Sequence, residues 1–231
     1  MPEDWRTTLT TLPLFPADDP GGRVLVLSAH PDDEVLAVGG WLAGQVDRPV
    51  TFVTATDGEA SHPDSTAISA EELRARRPGE LQDALARLGF EDPTIYRLGL
   101  PDGGLTAARD ELRALLQPMV GAADLVLAPF EADGHPDHDA LGEVAVELCA
   151  DGPTLWRFPI WTWVWTRPDA QEWLPSARRL AFGADAERRK CAALAAFATQ
   201  VSPVGDAAAD AAIVEEALLR HAIEAPEVVI A

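Results

Sequence analysis

The side chains best suited to chemistry are concentrated in two short stretches. AHPDDE (29–34) and GHPDHD (134–139) each carry His-Pro-Asp followed at once by a further group able to bind a metal. In both, a histidine stands three positions ahead of that group, His30 before Asp33 and His135 before His138. A residue at a strand's end and one in the first turn of the next helix can then converge above a sheet edge. Three of the chain's five histidines lie in these two turns, and the acids at 32–34 repel one another unless positive charge sits among them. His30, Asp33 and His138 offer two imidazoles and one carboxylate. That set suits zinc with its fourth position left to water, and it suits ferrous iron as well. Such an open arrangement is catalytic rather than structural. Asp32, His135 and Asp137 are left over beside the ligands, as groups that could take a proton from water or supply one to a departing amine. Each acid alone has a simpler use as a helix N-cap. It is the repetition of the turn that carries the metal reading. His62 and His221 have no partner pattern and are expected at the surface.

Both turns sit where strands should end. RVLVLSA (23–29) and DLVLAPF (124–130) are short continuous apolar runs, as expected of strands buried on both faces of a parallel sheet. PVTFVTAT (49–56) and PTIYRL (93–98) read as two more, with helical patterns between them. AEELRARRPGELQDALARLG (70–89) reads as a helical stretch interrupted at Pro78 and closed by Gly89. Alternating strands and helices predict an α/β chain with a doubly wound, mostly parallel sheet and helices on both faces, which binds ligands beyond the carboxyl ends of its strands. The expected organisation is a single domain over 1–231, preceded within it by an irregular arm to about residue 22. Toward the other end, RRLAFG reads as a strand, 185–199 and 206–222 as alanine-rich helices, and EVVIA follows them.

The 231 residues and 47% hydrophobic content allow a substantial core. A formal net charge of -20 repels polyanions over most of the surface, which argues against nucleic acid as a partner. No stretch approaches the roughly 18 apolar residues of a membrane span, and the amino-terminal residues lack a signal-peptide pattern, so a soluble cytoplasmic protein is expected. Cys149 and Cys191 lack zinc-ribbon spacing and read as small buried hydrophobes.

At AHPDDE and HPDH the sequence resembles the PIG-L/LmbE family of zinc-dependent de-N-acetylases. The similarity extends through TDGE (56–59), the R-x-x-E-L-x-x-A-L-x-x-LG run from Arg77 to Gly89, LPDGGL (100–105) and KCAALAAFATQ (190–200). The resemblance implies a Rossmann-like three-layer α/β/α sandwich. It implies His30, Asp33 and His138 as zinc ligands and Asp32 as general base. It also implies His135 as the protonated imidazole that stabilises an oxyanion and helps the amine leave, with Asp137 orienting it. The implied reaction is hydrolysis of an N-acetyl or other N-acyl amide on a small amino-sugar substrate, such as an N-acetylglucosamine-containing glycoside.

WRFPIWTWVWTRP (156–168) places Trp161, Trp163 and Trp165 at alternate positions. In a strand they would share one face, available to sugar rings or an acyl chain, or else used as core or as the contact of a homo-oligomer. Arg74, Arg76, Arg77 and Arg97 read as surface ion-pairing groups, with contact to a substrate hydroxyl or phosphate as their other use. A dinucleotide-binding oxidoreductase would share this fold, but its first strand should lead into GxGxxG, where this chain has carboxylates that repel phosphate. A non-catalytic metal- or carbohydrate-binding module would need the ligands without the spare Asp32 and His135.

Overall fold

The computed structural model describes residues 3–15 and 21–231. Four apolar runs form the strands β1 (Val24–Ser28), β2 (Val50–Thr54), β3 (Thr94–Arg97) and β4 (Leu125–Pro129), and β5 (Thr154–Phe158) joins them. β1 and β4 are buried at every position, as strands covered on both faces must be. The helices between them are α2 (Asp33–Leu42), α3 (Ala70–Leu88), α4 (Arg109–Val120) and α5 (Pro136–Cys149). α4 and α5 close one face of the sheet with Leu112, Leu116, Leu141 and Val144. α2 and α3 cover the other with Val35, Leu42, Leu81 and Leu85, together with α7 (Ala184–Leu194) and α9 (Glu216–Glu224). The result is the expected three-layer α/β/α sandwich.

The strand order is β3-β2-β1-β4-β5-β7-β6, where β6 is Ala177–Arg179 and β7 is Val228–Ile230. β1 pairs in parallel with β2 on one side and β4 on the other, Val24 opposite Val50 and Leu125. β7 pairs antiparallel with both β5 and β6, which makes the sheet mixed at that end. The order reverses between β1 and β4, so the connections leaving these two neighbours run to opposite faces and open a crevice at their carboxyl ends. Both His-Pro-Asp turns leave from there.

Several expectations are corrected. Residues Glu3–Thr11 form a helix, α1, within the arm expected to be irregular. It buries Trp5, Leu9 and Leu12, and apolar burial supplies the order that the polar-looking sequence obscured. Pro78 does not interrupt α3, which continues to Gly89 with a Ser69–Glu72 capping box at its start. Burial of Leu73 and Arg77 before the proline and of Leu81 and Leu85 after it holds both halves on one axis. The helix expected over 185–199 breaks after Leu194 and resumes as α8 (Ala198–Val201), because Phe197 turns into the core. Of 206–222, only the end is α-helical. Asp210 accepts bonds from Ser65 Oγ and from the Ala207 N–H, side-chain bonding that competes with helix formation.

The aromatic run is not one strand either. β5 ends at Phe158 and α6 (Thr162–Trp165) follows. The Asp133 carboxylate accepts the N–H groups of Ile160, Trp161 and Thr162, satisfying donors that a helix start leaves unpaired. Trp161 and Trp165 therefore stack on each other at 4.7 Å, while Trp163 points inward onto Trp5 and Trp173.

His221 is buried rather than at the surface, stacked on Trp163 at 5.0 Å. Burial and the nearby Lys190 ammonium push its imidazole down to about 3. The folded chain thus keeps His221 neutral where the unfolded chain protonates it below about pH 6.5, so stability is lost as pH falls from that point toward 3. At pH 5 this amounts to about 2 kcal/mol. His221→Phe is expected to flatten the fall in unfolding free energy between pH 7 and pH 5 by that amount, and an unchanged fall would refute the assignment. His62 is also buried, with its Nε2 on Ala211 O at 3.2 Å. Cys149 is buried as expected, but Cys191 is only half-buried.

Candidate active site

The main chain does much of the work of placing the two turns. After β1 the chain bends sharply at Asp32, whose φ of 143° lies where a residue with a Cβ is strained, by about 1–3 kcal/mol. The bend carries Asp32 and Asp33 as adjacent side chains with different surroundings. Beyond β4, Gly142, one turn along α5 from His138, touches the strand end so closely that a Cβ would lie 2.6 Å from Pro129 O. That contact fixes the height of His138 above the sheet.

His30, Asp33 and His138 each offer one ligand atom, and these atoms lie within 4.8 Å of one another. His138 Nε2 stands 3.3 Å from Asp33 Oδ1. Its other nitrogen, Nδ1, donates to Asp133 Oδ2 at 2.8 Å, which turns Nε2 toward the cluster. That Nε2 is buried and has no hydrogen-bond partner. A buried ring nitrogen without a hydrogen bond is costly unless a proton or a cation sits between it and the neighbouring carboxylate. His30 is held in a parallel way, its Nε2 donating to Asp102 Oδ1 at 3.0 Å, while Nδ1 lies 3.9 Å from Asp33 Oδ2.

A second trio, His30 with Asp102 and Asp137, is equally compact. Its carboxylates accept main-chain donors, as Asp33 Oδ2 does from the His30 N–H at 2.9 Å. Asp102 takes the Ala60 N–H, and Asp137 takes those of Gly103 and Leu105. The first trio, with its orphaned nitrogen, fits a divalent cation better. Burial would lower the His30 pKa, but Asp102, Asp137 and Asp33 raise it to about 9. Burial likewise opposes charge on His138, and Asp33 and Asp133 outweigh it, lifting that imidazole well above its ordinary value. Burial raises Asp33, but His138 pulls it down to about 2. The two imidazoles and the carboxylate thus hold protons and charge in the pattern that a cation would replace.

Asp32 is buried beside them, and burial together with the Asp33 charge raises its carboxyl well above the usual range. Its neighbour Glu34 is buried too, on the Ser28 hydroxyl at 2.6 Å. His135 forms the N-cap of α5, and its Nδ1 accepts the Asp137 main-chain N–H at 3.3 Å. Its ring packs 5.0 Å from that of His30 and 4.8 Å from that of His138. Burial, then the neighbouring imidazoles, push His135 down to about 4. Asp137 meets His135 through its main chain, while its carboxylate turns to Gly103, Leu105 and, at 3.5 Å, His30 Nε2.

These groups open onto a cavity of about 310 Å3. Its lining mixes polar groups, among them Ser61, Arg77, Asp102 and Gln200, with the apolar Leu36, Ile160, Ile213 and Val214. Arg77 is a correction, being buried rather than at the surface, and it donates to Gly58 O and Ser61 Oγ. A Cβ on Gly58, whose φ is +68°, would lie 1.8 Å from Arg77 Nη1, so glycine is required there. Arg74 and Arg97 pair with Glu59 and Asp57 as expected of surface groups. Asp133 and Asp102 are the site residues that the sequence analysis did not single out. Asp133, five positions ahead of His138, could have been suspected as the carboxylate partner that a ligating histidine needs. Asp102 lay unmarked in a PDGG turn.

A crevice at the switch point of a mostly parallel sheet, with a His-His-Asp trio that could hold a cation beside a cavity, defines an α/β protein with a candidate site where such folds place theirs. Comparison with known proteins narrows the class. The family described as PIG-L: GlcNAc-PI de-N-acetylase matches residues 25–149, and the chain belongs to that family. It is 34% identical over 132 residues to the probable N-acetyl-alpha-D-glucosaminyl L-malate deacetylase 2 of Bacillus subtilis (strain 168), covering 54% of this chain and 59% of the relative. It is 33% identical over 169 residues to the 1D-myo-inositol 2-acetamido-2-deoxy-alpha-D-glucopyranoside deacetylase of Mycobacterium sp. (strain KMS), covering 61% of this chain and 54% of the relative. The chain thus spans little more than half the length of these curated relatives. Among solved structures, the zinc-inhibited form of teicoplanin deacetylase Orf2 shares the fold with a TM-score of 0.66 at 18% identity, over 90% of this chain and 96% of that one. Among the described residues, no helix is long and apolar enough to cross a membrane.

Proposed function

We propose that this chain acts as one unit, a metal-dependent hydrolase that removes an N-acetyl or related N-acyl group from a small amino sugar. The observation that carries this reading is the buried, unpartnered Nε2 of His138, aimed at Asp33 and His30 on the edge of a cavity that also holds Asp32 and His135. His30, Asp33 and His138 would hold zinc, or ferrous iron. The ion supplies Lewis acidity to a water and to an amide carbonyl.

The protein's own groups do the rest. Asp32 is the base, since burial and the Asp33 charge give its carboxylate a high affinity for the proton that water must lose. His135 accepts the Asp137 N–H at Nδ1, which leaves Nε2 as its donor nitrogen toward the oxygen that gains negative charge. That charge raises the ring's affinity for a proton, so His135 is the group placed to pass one to the leaving nitrogen. The proton that Asp32 gains balances the one the amine needs. Ser61, Arg77 and Asp102 in the cavity lining supply donors and acceptors for sugar hydroxyls. The relatives named for N-acetylglucosaminyl malate and inositol compounds support the same substrate class.

The test combines metal analysis of the purified chain with amine release from N-acetylglucosamine glycosides. About one zinc or iron per chain is expected, with amine release that stops on chelation and returns when metal is restored. Metal without amine release would leave a binding module. Neither metal nor amine release would overturn the reading altogether.

A further inference from the structure

The helix that starts in the first His-Pro-Asp turn is not continuous. Val38, at φ -134° and ψ 19°, breaks α2 into two short segments, the first of which carries Asp33 and Leu36. A break leaves main-chain donors and acceptors on either side short of helical partners. Glu227, the residue before β7, accepts the N–H groups of Gly40 at 2.6 Å and Trp41 at 2.9 Å. The Lys190 ammonium, on α7, donates to Leu36 O at 3.0 Å and to Glu227 Oε1 at 2.7 Å. One ion pair therefore holds both sides of the break. We propose that Lys190 and Glu227 are positioning residues, which set the first segment of α2 and with it the placement of Asp32 and Asp33. The inference rests on the metal-dependent hydrolysis proposed above.

The first segment cannot hold itself, because little more than one helical turn is far below the length at which a helix is stable alone. At its start stands Asp32, whose strained backbone has no side-chain capping bond, and strain of that kind persists only where the surroundings over-determine it. Leu36 supplies the connection. Its N–H donates to Asp32 O at 2.9 Å while its carbonyl accepts from Lys190, so a single residue joins the ion pair to the bend.

The pair is also sheltered from water, the Lys190 and Glu227 side chains being 4% and 1% exposed. Desolvation offsets much of the attraction between two buried charges, so stability alone gives little reason for such a pair. Direction gives one. An ammonium only donates and a carboxylate only accepts, so the pair fits one arrangement of the break, with the Leu36 carbonyl on one side and the Gly40 and Trp41 N–H groups on the other. Both residues lie beyond 25–149, and the far end of the chain thereby sets a turn inside the stretch that matches the family.

Removal of Glu227 alone would leave Lys190 charged and unpaired in the core, a change costly enough to threaten folding. The test therefore uses the double variant Lys190→Met with Glu227→Gln, which carries no unpaired charge. It is compared with Val120→Ala, a core truncation at the end of α4 on the other face of the sheet. Three quantities are read on the full chain: hydrogen exchange of residues 33–42 without metal, zinc affinity against a chelator of known strength, and kcat with zinc and methyl N-acetylglucosaminide both saturating. In the double variant exchange is expected to quicken, zinc affinity to fall about tenfold and kcat to fall about 10- to 100-fold. Val120→Ala is expected to lower the melting temperature while leaving zinc affinity and kcat near those of the unaltered chain. Exchange, affinity and kcat that move no further in the double variant than in Val120→Ala would overturn the positioning role and leave the hydrolase reading intact. Zinc binding without amine release would overturn the hydrolase reading, with exchange and affinity still deciding the positioning role. A chain that binds no zinc would overturn both.

Discussion

Asp32→Ala is expected to lower turnover about 10²- to 10⁴-fold, the range over which a positioned general base contributes, while the protein keeps its metal. The contrast follows from the bend after β1. Both carboxylates line the cavity, but Asp33 lies against His138 whereas Asp32 sits at the strained bend before it. Removal of the Asp32 carboxylate takes a charge from beside Asp33 without removing a donor from the trio. The substitution should therefore leave metal content near that of the unaltered chain. It should also leave the fold intact, since Asp32 makes no side-chain capping bond to α2. Loss of metal together with activity would mean that Asp32 is a ligand; retention of both would mean that the base lies elsewhere.

Asp133→Asn is expected to weaken metal affinity by about 10- to 100-fold, the cost found when the hydrogen-bonded partner of a ligating histidine is lost. Asp133 has no exposed surface, and its carboxylate gathers His138 Nδ1, three main-chain N–H groups and the Thr162 hydroxyl. Burial alone would raise its pKa, but those donors hold it below the usual carboxylate range. An asparagine keeps the shape and loses one acceptor and the charge. His138 would then lack the anion that fixes which nitrogen faces Asp33, and one N–H at the start of α6 would lose its partner. Titration of the apoprotein with zinc against a chelator of known strength reads the first effect. A shifted fluorescence of Trp161 and Trp165, which α6 carries, reads the second. Unchanged affinity would show that His138 keeps its orientation without Asp133.

The two His-Pro-Asp turns were legible in the sequence because their chemistry is local. Strand end, turn and helix start are contiguous, and the parallel order of buried apolar runs brings β1 beside β4. What the sequence hid depends on contacts made far along the chain. Arg77 looks like any arginine on an exposed helix until Gly58, nineteen residues earlier, is found against its guanidinium. The tryptophans at alternate positions suggested a strand, but the N–H groups that donate to Asp133 start a helix there, which separates Trp163 from its neighbours. His62 and His221 lacked a pattern because their partners, Ala211 and Trp163, are distant in sequence. The irregular-looking arm became a helix only because Trp5 and Leu9 found a third apolar cluster to enter.

The neighbouring placement of β1 and β4 also bears on the durability of the fold. An ion gripped by His30 and His138 would act as a cross-link between segments about a hundred residues apart, closing a loop whose ends the unfolded chain rarely brings together. Its binding free energy would then count toward folding, so that melting temperature would rise with free metal concentration and the apoprotein would loosen first at the crevice.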